Sequence, residues 1–175
     1  MEQVKEEIID YIYAMNKLGR VSNEIILFSG PPGTGKTSVA RQIAKALGRE
    51  FYKIPLGGLS DDVFLKGCAK QYSGAKPGTI VDILFKAGHK NILILLDEVD
   101  KFGARNGAQD GAAALLDALD HDKAFVDRFI DFPIDLSDIV FVATANNSSS
   151  IPSVLYDRMN SIEILPYSNQ EKFEI

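Results

Sequence analysis

Gly30-Pro31-Pro32-Gly33-Thr34-Gly35-Lys36-Thr37 separates two stretches of different periodicity. Before it, Glu24-Ile25-Ile26-Leu27-Phe28 is an apolar run of strand length. After it, Ser38 to Leu47 carries apolar residues at helical spacing. Strand, glycine-rich loop and helix, in that order, make a cradle for phosphate. Gly30, Gly33 and Gly35 let the backbone turn tightly, so that successive N–H groups point inward. The helix that follows adds the positive end of its dipole. Lys36 is long enough to reach β- and γ-phosphates, and the Thr37 hydroxyl is a ligand for Mg²⁺. Pro31, Pro32, Thr34 and Ser38 belong to the same cradle. The fixed positions of this pattern arise by chance in about one chain in a hundred of this length. A glycine-rich helix cap with no ligand is therefore the poorer reading, and the stretch implies a bound nucleoside triphosphate.

Outward from the loop, strands alternate with helices. An amphipathic helix from Val4 to about Leu18 leads in, and Phe51-Tyr52-Lys53-Ile54-Pro55 is a second short strand closed by Pro55 and Gly57-Gly58. Asp61 to Leu65 and Ile80 to Ala87 read as helices around a glycine-containing loop, Gly74 to Gly78. Asn91 to Leu96 is a continuous apolar run, as expected of a central strand in a parallel sheet. Ala112 to Leu119 is helical, and Ile139 to Ala143 and Ile162 to Leu165 are further strands. The alternation predicts an α/β fold, with a parallel sheet, right-handed crossovers and helices on both faces. No repeat or linker interrupts it, so a single domain over residues 1–175 is expected.

The central run ends in Leu96-Asp97-Glu98. A carboxylate at the C-terminal end of a central strand stands at the crevice where ligands bind in open α/β sheets. Asp97 there is placed to hold Mg²⁺ through its water shell, and Glu98 to polarise a water that attacks the γ-phosphate. Glutamate rather than a lone aspartate points to hydrolysis over transfer to another acceptor. Asp100 and Lys101 read as surface or interface charges.

At 46% hydrophobic content, 175 residues suffice for one full core. A net charge of −5 with interspersed signs lacks the basic stripe of a nucleic-acid binder. No apolar run reaches membrane-span length and no signal-peptide pattern opens the chain, so membrane association is not expected. The sole cysteine, Cys68, cannot form an internal disulfide and suits a reducing compartment. His89 and His121 lack partners at ligand spacing, which disfavours zinc.

The phosphate loop together with Leu95-Leu96-Asp97-Glu98 resembles the AAA+ class of P-loop ATPases. Three further stretches are similar to the ATPase module of Lon-family proteases. These are Pro55 to Asp61 with Gly67 and Tyr72-Ser73-Gly74-Ala75-Lys76-Pro77-Gly78, then Ala114 to Asp120, and then Asp135 to Asn146 with Ile151-Pro152 and Leu155-Tyr156-Asp157-Arg158-Met159. The resemblance implies the AAA+ large subdomain, with a five-stranded parallel sheet in the order 5-1-4-3-2. It implies ATP and Mg²⁺ as cofactors. Asn146 would orient the attacking water and sense the γ-phosphate, and Arg158 would be an arginine finger inserted into a neighbouring subunit's site. Tyr72 would face the pore of a homo-oligomeric ring, a hexamer in the parent protein, and grip unfolded protein substrates. Cytoplasmic placement, or the mitochondrial matrix in a eukaryote, would follow.

Two local departures stand out. Ser73 occupies a position where the family carries a bulky aliphatic residue, and Asn147-Ser148-Ser149-Ser150 is one residue longer than the family's loop, so Asn147 competes with Asn146 for the sensor role. The small helical lid and a Ser–Lys peptidase domain are not found in these 175 residues, which reads as an excised ATPase core or a truncated gene product. The competing readings are an AAA+ motor or clamp loader acting on nucleic acid, and a free-standing nucleotide-dependent regulator.

Overall fold

A computed structural model of the protein describes residues 2–18, 25–57, 62–102, 108–120 and 124–166. Along the chain the elements are α1 (Glu2–Leu18), β1 (Ile25–Ser29), α2 (Lys36–Ala46), β2 (Glu50–Pro55), α3 (Val63–Lys66), α4 (Thr79–Ala87), β3 (Ile92–Asp97), α5 (Ala108–Leu119), β4 (Phe125–Asp127), β5 (Phe132–Ile134), β6 (Val140–Ala145), α6 (Ser153–Tyr156) and β7 (Met159–Glu163). Five strands form one sheet in the order β2-β3-β6-β1-β7, every neighbouring pair parallel. Numbered among themselves in chain order these strands run 2-3-4-1-5, which is the expected 5-1-4-3-2 read from the other edge.

The sheet divides the core into two layers, and strand alternation explains the division. Side chains along a strand point to opposite faces in turn. In β3, Ile92, Ile94 and Leu96 enter one layer with Leu65, Ile80, Ile83 and Leu115 from α3, α4 and α5. Leu93 and Leu95 enter the other with Ala40, Ile43 and Ala44 of α2. Both faces are covered, so apolar residues are favoured at every position of the strand. The helix α1 lies over the second layer through Ile8, Tyr11 and Ile12, at the i, i+3, i+4 spacing of one helical face.

Four elements differ from expectation. The last strand starts at Met159 and pairs Ile25 with Met159, whereas the apolar run suggested Ile162 to Leu165. This edge strand buries only Met159 and Ile162 and opens with Met-Asn-Ser, so its first half carries no continuous apolar signal. The antiparallel hairpin β4–β5 was not expected. Its strands are three residues each, too short for periodicity, and Pro133 sits within one of them. The helix α3 covers Val63–Lys66 rather than Asp61 to Leu65, and α5 begins at Ala108 rather than Ala112. Glu24, Gly58-Leu59-Ser60-Asp61 and His121 lie outside the described residues.

Candidate nucleotide site

The phosphate loop runs from the end of β1 into α2 and is braced against the neighbouring strands. Gly30 donates its N–H to Ala145 O at 3.2 Å. A Cβ on Gly30 would stand 2.2 Å from Ile164 O, so only glycine lets the loop leave the sheet beside β7. Gly35 adopts φ +86° immediately before α2, a left-handed conformation that turns the loop into the helix. Thr34 ties the loop across itself by donating its hydroxyl to Pro31 O at 3.0 Å. Pro31 and Ser38 are exposed, while Thr34 and Lys36 are buried and Thr37 is half-buried.

An open cavity of about 390 Å³ lies between this loop and the C-terminal ends of β3 and β6. Its walls are residues 32–37 of the loop, Asp97 and Glu98, and residues 144–146. Register explains the convergence. β1 pairs with β6, and β6 pairs with β3, so the loop, Asn146 and the acidic pair all emerge at one edge of three adjacent strands. The expected crevice is where the sheet order places it.

Lys36 Nζ donates to Gly30 O at 2.6 Å, to Pro31 O at 2.8 Å and to Asn146 Oδ1 at 3.0 Å. Burial pulls its ammonium below the ordinary lysine range, against the opposing pull of Asp100, Asp97 and Glu98. Asp97 accepts from the Thr144 hydroxyl at 2.5 Å and pairs with Lys53 Nζ at 2.5 Å. Burial alone would raise the Asp97 carboxyl. The Lys53 ammonium, the Thr144 hydroxyl and Lys36 outweigh it, so Asp97 lies below its ordinary value. The site holds an ionised carboxylate facing a buried ammonium.

Glu98 has φ +61° and ψ 49°, a left-handed conformation costing on the order of 1–2 kcal/mol for a side-chain-bearing residue. Its N–H is fixed by Thr144 Oγ1 at 3.1 Å. Its carboxylate takes Lys101 Nζ at 2.6 Å and lies where a Cβ on Gly57 would come within 2.1 Å of Oε2. Thr144 thus holds both acidic residues at once. Thr144 lies within β6, one residue past the apolar run Ile139 to Ala143, and a hydroxyl at that place was the available signal.

Asp100 is not the surface charge expected. It is half-buried, and its Oδ2 accepts the backbone N–H of Asn146 at 3.2 Å and of Asn147 at 3.1 Å. Lys101 is exposed as expected, but it pairs with Glu98 rather than with solvent alone. Asn146 and Asn147 part company: Asn146 turns to Lys36, whereas Asn147 caps the short 3₁₀ turn Ser148–Ser150 by accepting from Ser149 N at 3.1 Å and Ser149 Oγ at 2.8 Å.

The remaining candidates stand apart from the cavity. Arg158 follows α6, is exposed, and reaches Asp120 Oδ2 at 3.5 Å. Tyr72 is 60% exposed on the loop between α3 and α4. That loop is pinched at its base, where Cys68 N donates to Lys76 O at 2.9 Å and Gly78 N donates to the fully buried Asp127 at 2.7 Å. A Cβ on Gly78 would meet Leu65 O at 1.9 Å. The hairpin residue Asp127 therefore braces the Tyr72 loop, a link no local sequence signal announces.

The donor set suits a hard cation completed by phosphate and water. The Thr37 hydroxyl and the Asp97 carboxylate line the same cavity, beside Glu98, and Mg²⁺ binds through few protein ligands of this kind. Among the described residues no cluster of three or more His, Cys, Asp or Glu could hold a metal, and no helix is long and apolar enough to cross a membrane.

Residues 26–167 match the model of the ATPase family associated with various cellular activities (AAA). The whole chain is 46% identical to a stretch of the Lon protease of Mycoplasma mycoides, 22% of that protein. It is 45% identical to part of Lon protease 2 of Thermus thermophilus, 23% of that protein, and 44% identical to part of the mitochondrial Lon protease homolog of Kluyveromyces lactis, 16% of it. The chain thus spans about a sixth to a quarter of the length of these relatives. Among solved structures, a P216G mutant of Thermotoga maritima RuvB superposes with a TM-score of 0.70 at 22% identity, over 99% of this chain and 48% of that one. That likeness concerns the fold. With the phosphate loop, the acidic strand end and the sheet order in place, the chain belongs to the AAA family of ATPases, as a Lon-like AAA+ module.

Proposed function

We propose that this chain hydrolyses ATP with Mg²⁺ in the cavity between the phosphate loop and the ends of β3 and β6, as the motor of a ring that unfolds protein. The observation that carries the reading is the convergence on one cavity of Lys36 from the start of α2, Asp97 and Glu98 from the end of β3, and Asn146 from the end of β6. The N–H groups of the loop 30–37 and the N-terminus of α2 bind the phosphates. Lys36 exchanges its carbonyl and Asn146 partners for β- and γ-phosphate oxygens. Thr37 and Asp97 would hold Mg²⁺, which when bound would neutralise charge on the phosphates. Glu98 accepts a proton from the attacking water, and Asn146 orients that water against the γ-phosphate.

In the same reading Arg158 acts on the site of an adjacent subunit, since its exposed turn lies outside this chain's own cavity. Tyr72, exposed on a loop pinched at both ends, grips an extended polypeptide. Ring assembly, a hexamer in the parent protein, protein substrates and placement in the cytoplasm or mitochondrial matrix rest on likeness to Lon proteases of bacteria and mitochondria. Phosphate release measured with an unstructured polypeptide and with single-stranded DNA tests the substrate class. Stimulation by the polypeptide, lost in Tyr72→Ala, is expected. Stimulation by DNA alone would overturn it.

A further inference from the structure

Asp100 joins two strand ends that share no backbone hydrogen bond at that level of the sheet. It sits in the 3₁₀ turn Val99–Lys101 directly after Glu98, and its Oδ2 accepts the N–H groups of Asn146 and Asn147, 46 and 47 residues further on. The paired register of β3 and β6 ends at Leu96 with Ala143, so Asn146 lies beyond the ladder. On the β1 side the carbonyl of this peptide unit, Ala145 O, takes the Gly30 N–H, but on the β3 side no strand pairing reaches the N–H of Asn146. The other carboxylate oxygen, Oδ1, is buried with no partner among the described residues. Burying an unpaired carboxylate oxygen is costly, so the two amide contacts of Oδ2 are made at the expense of desolvating Oδ1.

From this geometry we infer that Asp100 is the positioning residue for Asn146: it clamps the backbone at residues 146 and 147, so that the Asn146 side chain faces Lys36. The chain of contacts is continuous. Asp100 Oδ2 holds Asn146 N at 3.2 Å, and Asn146 Oδ1 meets Lys36 Nζ at 3.0 Å. Asp100 also follows Glu98 by two residues in one turn. The group that activates water and the group that orients it are therefore carried on a single clamp. A displacement of the acidic turn is transmitted to residue 146 through two hydrogen bonds. The inference rests on the proposed role of Asn146 in hydrolysis, and the two fail separately.

An alternative role for Asp100 is purely electrostatic, since its charge favours the Lys36 ammonium. Substitutions distinguish the two. Asparagine keeps one carbonyl oxygen for both N–H groups and puts an amide where the unpartnered oxygen was, while removing the charge. Alanine removes clamp and charge together. Nucleotide affinity by calorimetry and turnover by phosphate release should be measured for wild type, Asp100→Ala, Asp100→Asn, Asn146→Ala and the Asp100→Ala/Asn146→Ala double variant. Asp100→Ala should lower kcat at least about tenfold with little change in affinity, since misplacement of a reacting group acts on the chemical step. Asp100→Asn should restore most of that loss. The double variant should be no slower than Asn146→Ala, because residues acting through one another are not additive. Should Asp100→Ala not fold, Asp100→Ser, too short to span both amides, carries the same expectations. Equal defects in Asp100→Asn and Asp100→Ala with weakened nucleotide binding would assign the charge role instead. Additive defects in the double variant would overturn the clamp. A normal Asn146→Ala would sink the Asn146 role itself.

Discussion

Lys36 and Asn146, 110 residues apart in sequence, meet in one hydrogen bond, with the ammonium donating to Oδ1 at 3.0 Å. The contact sets Asn146 against the lysine proposed to reach the phosphates and leaves Asn147 to cap a turn. Asn146→Ala should therefore slow hydrolysis by about 10²-fold, the order seen when a polar group aimed at developing charge is removed. Its nucleotide affinity should hold. Asn147→Ala should cost only turn stability. A larger kinetic defect in Asn147→Ala would reverse the assignment.

Gly57 gives the second prediction. A methyl group there would lie 2.1 Å from Oε2 of Glu98, and the carboxylate is the mobile partner. Gly57→Ala should leave the fold intact and push Glu98 into another rotamer. Hydrolysis should fall at least about tenfold while nucleotide binding persists, since positioning of the base is what changes. Wild-type turnover in a folded Gly57→Ala protein would show that Glu98 is not held by this contact.

How much of this was legible in the sequence follows from which signals are local. The phosphate loop is contiguous and its glycine pattern is rare, so its place before a helix could be read directly. Asp97 and Glu98 were legible because a continuous apolar run marks a central strand and its end marks the crevice. Asp100, Thr144 and Gly57 were not, because each acts across the sheet on a residue at least 41 positions away. Asp127 was lost for the same reason. Its carboxylate joins Gly78 to Phe129 and Ile130, and its hairpin is too short to show alternation. The sheet order came from resemblance, since periodicity alone identifies strands but not their neighbours.

Among the described residues the exposed Arg158 pairs with Asp120 across 3.5 Å, a long contact of little stabilising value. If it serves an adjacent subunit, turnover per chain should rise with protein concentration. Arginine fingers supplied by a partner are worth about 10³–10⁵ in rate in related phosphoryl-transfer enzymes. Arg158→Ala should change little in dilute monomer and abolish the rise. A dilution series with mass measured by light scattering checks this, and full activity in a demonstrated monomer would leave Arg158 with a structural role.

A pH prediction follows from Asp135, whose carboxyl sits at about 2, held down by Ser137 through hydroxyl and backbone N–H and by Lys90. Because its folded value lies below the ordinary 3.8, its contribution to stability is complete above that value and disappears as pH falls toward about 2. Asp135→Asn should melt slightly lower than wild type at pH 7, by roughly 1–2 °C for so exposed a group. The two melting curves should converge by about pH 2. A gap that widens on acidification would contradict the assignment.

In the proposed reaction Glu98 activates the water that cleaves ATP bound by the phosphate loop. Glu98→Gln is the most direct test, because it keeps the shape and the Thr144 contact to its N–H while removing the base. Calorimetry should show ATP binding close to wild type, and phosphate release should fall about 10²-fold or more. Turnover equal to wild type in Glu98→Gln would contradict the account.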